Sequence, residues 1–198
     1  IVAVKRDMEG IRVLVTAGPT REPIDPVRYI SNSSSGKMGY AFASAASNRG
    51  AAVSIVSGPV SIPTPAGVDL CSVTTAEEMY KKVLEIHAEY DVLIFAAAVS
   101  DYRCKSIAGR KIKKTDDEIT LELVKNTDIA KELGKLKNGK KIHVGFSAET
   151  DNLVLNAKSK LASKNFDIIV ANDVTKEGAG FNTDTNIVTI IGSDGSIK

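Results

Sequence analysis

The chain has few of the residues from which metal centres and disulfide frameworks are built. Its 198 residues include only two cysteines and two histidines. Cys71 and Cys104 cannot make a disulfide framework, and together with His87 and His143 they match no zinc motif. No apolar run approaches the roughly 20 residues of a membrane-spanning helix, and no signal peptide is visible. We therefore expect a protein of the reducing cytoplasm.

A strong net charge is also absent. The chain has 26 basic and 24 acidic residues, which gives a formal net charge of +2. So small an excess predicts neither a nucleic acid nor a membrane as partner, although cations cluster locally at residues 111–114 and 158–164. The length is sufficient for one sizeable α/β domain, or at most two small ones.

Apolar runs alternate with helical patterns along the chain. We expect strands at residues 12–18, 51–58, 69–74, 91–99, 141–149 and 166–173. Helices are expected at residues 36–50, from a capping box at Thr75 to about Tyr90, after KNTDIA (125–130) and after Thr150. The run 118–124 and a hairpin turning at Asp194-Gly195 predict antiparallel strands. The expected fold class is α/β, a Rossmann-like doubly wound, mostly parallel sheet with an antiparallel appendage.

A complete phosphate-binding loop is missing. Residues 36–37 end like a P-loop, but Ser31 replaces its first glycine and Met38 its Ser or Thr. Residues 34–39 instead match a dinucleotide fingerprint whose first glycine has become serine. The second strand ends at residues 57–59, Ser-Gly-Pro, without the acidic residue that holds a ribose. A dinucleotide is therefore disfavoured, and a serine-rich N-cap on a packing helix explains the serines equally well.

The loop after the first strand, residues 16–39, is unusually long. Ordinary βα loops have roughly 2–6 residues, whereas this one continues for about twenty before the helix begins. Pro19, Pro23 and Pro26 stiffen it, which lowers the entropy cost of holding a binding shape. Its glycines would let the backbone approach a ligand, and free N–H groups at the helix start could hold an anion.

Further segments at predicted strand ends also suit an anion. The central strand ends in three alanines, which leave room for a flat ligand, and Asp101 and the cations of GRKIKK (109–114) follow. KNTDIA presents the positive end of a helix, and Lys160 and Lys164 lie one helical turn apart. Each feature alone is also typical of a solvated face. Their common placement at one sheet edge predicts a phosphorylated nucleotide.

Five motifs together carry a family resemblance. TAGPTREPIDPVRYISNSSSGKMG, AAVSDYR, KIKK, GFSAET and IVANDV occur in this order, between Val13 and about Asn186. The chain resembles phosphopantothenoylcysteine synthetase, the second activity of the bifunctional coenzyme A biosynthesis protein. Because the chain starts at Ile1 and the flavin-dependent decarboxylase half is missing, we expect residues 1–10 to be a linker remnant. Residues 11–198 would form the ligase domain, truncated at its C-terminus.

The resemblance implies a reaction. Such enzymes join 4′-phosphopantothenate to L-cysteine through an acyl-cytidylate, with CTP converted to CMP and pyrophosphate. It also implies Mg²⁺ as cofactor, a homodimer, and fusion to the flavin-dependent decarboxylase in the full-length protein.

The resemblance further implies site residues. Asn32 and Lys111 would be catalytic, the first toward the acyl-cytidylate and the second in its formation. The nucleotide-binding positions would be Phe95, Ala96, Ala97, Asp101, Lys111, Thr127, Asp128, Ile129, Ala130, Phe146, Lys160 and Lys164. Asn32, Ser34, Ser35, Gly36 and Lys37 would form a loop around phosphopantothenate or the intermediate. Metal ligands and the cysteine site remain unassigned.

Two alternatives stay open. An NADP-dependent Rossmann reductase would need a ribose-binding acid that the second strand does not supply. A non-catalytic nucleotide sensor would use the same pocket, but it would need no Lys111 or Asn32 reserved for acyl transfer. Turnover of CTP distinguishes the sensor from the ligase.

Overall fold

The structure is a computed structural model that describes residues 5–113, 118–149, 151–173 and 185–198. Lys114, the last cation of the KIKK motif, lies outside the described residues. Within them, no helix combines the length and apolar character needed to cross a membrane. Both cysteines are free thiols.

Eleven strands and four α-helices follow one another along the described chain. The first half contains β1 (Arg12–Ala17), β2 (Arg21–Pro23), β3 (Tyr29–Ser31), α1 (Lys37–Asn48), β4 (Ala52–Ser57), β5 (Val68–Ser72), α2 (Ala76–Ile86) and β6 (Val92–Phe95). The second half contains β7 (Tyr102–Cys104), β8 (Leu123–Lys125), α3 (Ile129–Leu136), β9 (Ile142–Glu149), α4 (Leu153–Ser163), β10 (Ile168–Asp173) and β11 (Val188–Gly192). A short 3-10 turn, His87–Glu89, continues α2 toward β6.

Seven of the strands form one sheet in the order β11-β10-β9-β6-β1-β4-β5. All neighbours are parallel except β11, which pairs antiparallel to β10. The most apolar predicted strand, β6, occupies the centre, as its two apolar faces indicated. The predicted fold class is confirmed, and the return of residues 196–198 alongside β11 confirms the turn at Gly195.

Alternate side chains of β1 enter two separate hydrophobic cores. Leu14 packs with residues of α2, α3 and α4 on one face of the sheet. Val13 and Val15 pack with α1 on the other face. Helix α1 lies very close to β1. A Cβ on Gly39 would stand only 2.6 Å from the Cβ of Ala17, so this position has no room for a side chain. The fingerprint glycine Gly39 therefore serves close packing between helix and sheet.

The long loop after β1 contains a small hairpin that the sequence did not predict. Strands β2 and β3 pair antiparallel, and the guanidinium of Arg21 lies 4.7 Å from the ring centre of Tyr29. The carboxylate of Glu22 is 1% exposed and accepts a 2.9 Å hydrogen bond from the backbone N–H of Ala76. The hairpin is therefore fixed to the first turn of α2, where negative charge is favoured.

Two predicted strands are shorter than their sequence patterns. The strand within the apolar run 91–99 ends at Phe95, and the residues after it form a loop that stays hydrogen-bonded to the segment after β1. The alternating run 118–124 contributes only to β8, which pairs antiparallel with β7 outside the main sheet. Helix α2 does begin with the predicted capping box between Thr75 and Glu78.

Part of the segment 1–10 packs against the domain. The backbone N–H of Met8 donates a 3.0 Å hydrogen bond to the carbonyl of Arg49, and the Met8 side chain contacts the second core. The guanidinium of Arg49 donates to both carboxylate oxygens of Asp7, at 2.7 and 3.0 Å. This fork holds the pKa of Asp7 below its usual value.

His143 is a buried histidine in β9. It is 1% exposed, its ring meets Phe95 edge-on at 5.5 Å, and neither ring nitrogen has a hydrogen-bond partner among the described residues. Burial lowers the pKa of His143 from 6.5 to about 4, and the nearby Lys137 adds to this effect. The neutral imidazole is therefore the form that the fold accommodates.

We expect the protein to become less stable as the pH is lowered, because of His143. The unfolded chain takes up a proton below about pH 6.5, whereas the folded one resists protonation until about pH 4. The free energy of unfolding should fall by about 1 kcal/mol between pH 7.5 and 5.5. Urea denaturation at both pH values measures this loss. His143→Leu should remove most of the loss and His87→Gln should retain it; an unchanged pH dependence in His143→Leu would contradict the assignment.

Candidate functional site: a pocket at the end of the central strand

A pocket opens beside the carboxyl end of β6, where ligands bind in doubly wound folds. Its cavity has a volume of about 170 Å³ and is partly open to solvent. Its lining residues are Thr16, Phe95, Ala97, Val99, Ser100, Asp101, Asn126, Thr127, Asp128, Ile129, Ala130, Phe146, Lys160, Lys164 and Phe166.

Aromatic side chains line part of the pocket. The ring centres of Phe95 and Phe166 lie 5.6 Å apart. Phe146 packs edge-on against Phe42 of α1, with ring centres 5.1 Å apart. Gly145 leaves the space that Phe166 fills, because a Cβ there would lie 2.1 Å from the Phe166 ring. These contacts fix an apolar surface against which a flat ring could rest.

One rim of the pocket is held by hydrogen bonds between two loops. The side-chain amide of Asn126 donates to the carbonyl of Ser100 at 2.8 Å, and its backbone N–H donates to the carbonyl of Asp101 at 2.8 Å. Asp101 itself is exposed and lines the pocket. The loop after β6 is thereby joined to the segment that enters α3.

Two lysines form the opposite rim, each with a protein partner. The ammonium of Lys160 donates to the hydroxyl of Ser147 at 3.0 Å. Lys164, at the end of α4, forms a 3.0 Å ion pair with Asp128. The carboxylate of Asp128 also caps α3 by accepting from the backbone N–H of Lys131 at 3.0 Å. Because they line the same cavity, both lysines could transfer these bonds to an anionic ligand.

Asn32 lies next to the pocket without lining it. Its side-chain amide donates a 3.1 Å hydrogen bond to the carbonyl of Ala98, between the lining residues Ala97 and Val99. One N–H of the amide and its oxygen remain available for other bonds. Asn32 therefore connects the serine-rich loop, residues 32–37, to the edge of the pocket.

The serine-rich loop leads into α1, but no side chain caps this helix at its N-cap position. Gly36 is the N-cap, with φ +81°, and Lys37 begins the helix. The hydroxyls of Ser34 and Ser35 accept from backbone N–H groups two residues ahead, at 3.3 and 3.5 Å. The expected serine N-cap is therefore replaced by a glycine that adopts a left-handed conformation.

Gly36 packs against protein atoms. A Cβ at Gly36 would lie 2.6 Å from Cγ1 of Val60, and one at Gly18 would lie 2.8 Å from the same atom. Gly58 is closer still, because its Cβ would lie 1.8 Å from the carbonyl oxygen of Pro19. Packing against Val60 is therefore sufficient to explain the glycine at position 36, whereas the approach of a ligand to its backbone stays a prediction.

Lys111 is exposed and does not line the pocket. The next residue, Ile112, is bound through its backbone to the turn between β2 and β3. Its N–H donates to the carboxylate of Asp25 at 3.0 Å, and its carbonyl accepts from Arg28 at 2.8 Å. The basic loop, residues 105–113, is therefore anchored to another part of the described chain. The charge pattern of the sequence did not reveal this contact.

The pocket contains most of the residues that the resemblance implied for the nucleotide. All but Ala96 and Lys111 line it, namely Phe95, Ala97, Asp101, Thr127, Asp128, Ile129, Ala130, Phe146, Lys160 and Lys164. Ala96 faces the second core. Asn32, Ser34, Ser35, Gly36 and Lys37 lie outside the lining. Sequence reasoning missed Thr16, Val99, Ser100, Asn126 and Phe166, although their positions at strand and loop ends offered a signal.

No group of three or more His, Cys, Asp or Glu side chains suited to a metal ion occurs in the described ranges. The pocket offers two carboxylates, Asp101 and Asp128. Mg²⁺ is commonly held by one or two carboxylates together with substrate phosphates. These residues therefore fit a magnesium ion only in combination with a phosphorylated ligand.

A family profile described as the DNA/pantothenate metabolism flavoprotein C-terminal domain matches residues 8–198. The chain belongs to this family. The resemblance drawn from the motifs is thereby confirmed at family level.

Three curated relatives of the chain have the same name, coenzyme A biosynthesis bifunctional protein CoaBC. The protein from Vibrio parahaemolyticus is 49% identical over 192 residues, which is 96% of this chain and 48% of that protein. The Bacillus subtilis protein is 51% identical over 189 residues, 95% of this chain and 46% of that protein. The Escherichia coli K12 protein is 48% identical over 192 residues. The chain spans about half the length of the curated relatives it matches.

Solved structures share the family fold. The C-terminal domain of a CoaBC protein is 42% identical, covers 96% of this chain and 86% of its own, and has a TM-score of 0.81. A DNA/pantothenate metabolism flavoprotein from Streptococcus pneumoniae is 25% identical, with 96% and 91% coverage and a TM-score of 0.80. A Cab2 mutant in complex with phosphopantothenate-cysteine, 18% identical with a TM-score of 0.76, shares the fold.

Two substitutions of Asp128 should distinguish how much its helix cap and its ion pair each contribute to stability. Asp128→Asn retains a good N-cap and loses the exposed ion pair with Lys164, so stability should change by less than about 0.5 kcal/mol. Asp128→Ala loses both contacts and should cost about 1 kcal/mol. Urea denaturation of the two variants measures the difference. Equal losses would show that the cap contributes nothing to α3.

Proposed function

We propose that the chain is a ligase domain of coenzyme A biosynthesis. It joins 4′-phosphopantothenate to L-cysteine with CTP, which becomes CMP and pyrophosphate. The observation that carries the proposal is that one pocket collects the start of α3, Asp101 and the lysines of α4. The family membership and the coenzyme A biosynthesis relatives support the same conclusion.

The pocket's two sides suit the two parts of a nucleotide. The aromatic surface of Phe95 and Phe146 accepts a base, and Asp101 accepts from a hydroxyl or amino group. The triphosphate lies toward Lys160 and Lys164 and the N-terminus of α3, where cations and a helix dipole favour negative charge. For Lys164, the ion pair with Asp128 is the competing interaction that the triphosphate must displace.

The first half-reaction is a phosphoryl substitution. The carboxylate oxygen of phosphopantothenate attacks the α-phosphorus of CTP, an oxygen–phosphorus bond forms, and pyrophosphate leaves with the bonding electrons. Lys111 stabilises the charge that grows as pyrophosphate departs, which is why it is needed in the transition state more than for binding. Asp101 or Asp128 would hold Mg²⁺ together with the triphosphate, and the ion would supply charge neutralisation.

The second half-reaction forms the amide. The cysteine amine attacks the acyl carbon of the acyl-cytidylate, CMP leaves, and the amine loses a proton. Asn32 would orient the acyl carbonyl with the amide N–H that Ala98 does not use. An amide serves here because it donates without adding charge beside a phosphate.

The partners of the proposed enzyme follow from this reaction. CTP, 4′-phosphopantothenate and L-cysteine are its substrates, and a homodimer is the expected assembly. The full-length protein would also carry the flavin-dependent decarboxylase, in keeping with relatives twice as long. We place the enzyme in the cytoplasm.

Pyrophosphate release is the experiment that tests the function. Pyrophosphate should form from CTP only when 4′-phosphopantothenate and Mg²⁺ are present, and amide product should follow when cysteine is added. If CTP binds in a titration and is never turned over, the sensor alternative is correct. Perturbation of NADPH fluorescence without CTP turnover would favour the reductase instead.

Removing the α4 lysines should weaken CTP more than CMP. Lys160→Ala and Lys164→Ala each delete a charged hydrogen bond to the β- or γ-phosphate, worth about 1.5–3 kcal/mol. Isothermal titration with both nucleotides measures this difference. Lys158→Ala, an exposed lysine of the same helix, is the control and should bind both normally. Equal weakening of CTP and CMP would place the lysines away from the outer phosphates.

Lys111→Gln should strongly slow acyl-cytidylate formation and lower CTP affinity only modestly. The reason is that its stabilisation arises in the transition state. Supplying the pre-formed intermediate with cysteine should restore normal amide formation. Single-turnover kinetics of each half-reaction provide the measurement, and Lys113→Gln, two residues away and also exposed, is the matched control. A normal rate of intermediate formation in Lys111→Gln would show that the basic loop is only a solvated charge cluster.

A further inference from the structure

Asp25 is a buried carboxylate in the turn between β2 and β3. It is 3% exposed, and every donor it meets is directed at one of its two oxygens. Oδ1 accepts from the backbone N–H groups of Val27 and Arg28, both at 2.8 Å. Oδ2 accepts from Nε and Nη2 of Arg28, at 3.0 and 2.6 Å. Such a set of donors is matched to an ionised carboxylate.

A fifth hydrogen bond extends this cluster to a distant part of the chain. Oδ2 of Asp25 also accepts from the backbone N–H of Ile112 at 3.0 Å, across 87 residues of sequence. Arg28 completes the contact, because its Nη2 donates to the carbonyl of Ile112 at 2.8 Å. Ile112 is thus bound on both sides of its backbone by one ion pair.

A second contact lies four residues earlier in the same segment. The backbone N–H of Ala108 donates to the carbonyl of Ile24 at 3.0 Å. Residues 105–113, here called the basic loop, therefore follow the β2–β3 turn at two points. Arg110 and Lys111 lie between these points, and Lys113 follows them.

The charges explain why an anchor is needed. Like charges in one short loop repel and favour a spread of conformations. The ion pair of Asp25 and Arg28 binds the Ile112 backbone between two of these cations, Lys111 and Lys113, and the hydrogen bonds from Arg28 hold the pKa of Asp25 well below its usual range. The anchor is consequently charged throughout the neutral pH range.

We propose that Asp25 is the positioning residue of Lys111. It binds the Ile112 backbone and thereby limits where the adjacent ammonium can reach, while taking no part in the chemistry itself. The inference rests on the proposed role of Lys111 in forming the acyl-cytidylate. It adds a residue from the turn of the hairpin, outside the pocket lining, to the machinery of the first half-reaction.

Amide hydrogen exchange of the unaltered protein is the first test and needs no activity. The amides of Ala108 and Ile112 should exchange at least about 10-fold more slowly than those of Arg110 and Lys111 beside them, because of these four amides only the first two donate to another described residue. Uniformly fast exchange across the basic loop would overturn the proposal.

Asp25→Asn is the second test, because it replaces an acceptor oxygen with an N–H₂ group that faces other donors. Trypsin should cleave after Lys111 and Lys113 faster than in the unaltered protein. Acyl-cytidylate formation should slow about 10- to 100-fold, as expected when a reacting group is misplaced. Amide formation from supplied acyl-cytidylate should stay within about 3-fold of normal.

Asp7→Asn is the matched control, since it breaks a similar carboxylate–arginine fork far from the basic loop. It should leave both half-reactions and the cleavage at Lys111 unchanged. Equal slowing of both half-reactions in Asp25→Asn would overturn the proposal and indicate a general structural role. If the unaltered protein releases no pyrophosphate, the proposed function fails, whereas exchange and proteolysis still decide whether Asp25 holds the loop.

Discussion

The pairing of β1 with β6 does not stop where the two strands end, and the site depends on this continuation. Beyond the strands, the N–H of Ala98 donates to Gly18 at 2.9 Å, and its carbonyl accepts from the N–H of Thr20 at 3.2 Å. The same carbonyl accepts from Asn32, and the hydroxyl of Thr20 accepts from the N–H of Ser100. The pocket wall and the serine-rich loop are therefore built on one shared backbone contact at the centre of the sheet.

Local signals explain which parts of the fold were predictable. The strands of the main sheet are apolar runs with clear ends, and the capping box of α2 lies within four consecutive residues, Thr75 to Glu78. The hairpin of β2 and β3 lacks such a signal, because each strand has three residues and one contains Pro23. Its stability comes from contacts distant in sequence, such as that between Glu22 and Ala76. Only the folded chain reveals them.

The candidate site also has features that the sequence predicts and features that only the structure reveals. Residues at the carboxyl ends of strands could be assigned from sequence, since the topology of a parallel sheet brings those ends together. The partners of those residues could not be assigned. Lys164 meets Asp128 and Asn126 meets Ser100 because of how α4 and the loop before α3 pack. A charge pattern in the sequence therefore locates the site. The protein groups that compete with a ligand for each charged side chain can be identified only from the structure.

The contact between Gly58 and Pro19 has a consequence for how variants of this protein are interpreted. No side chain fits at position 58, since even a methyl group would overlap the carbonyl of Pro19. Pro19 lies beside Thr20 in the loop that leads to Asn32, so a larger residue at position 58 would displace that loop, although Gly58 itself does not line the pocket. In a mutational scan scored by growth or product, Gly58 would be as intolerant as a substrate-binding residue. Intolerance to substitution is thus a poor guide to chemical role in this part of the chain.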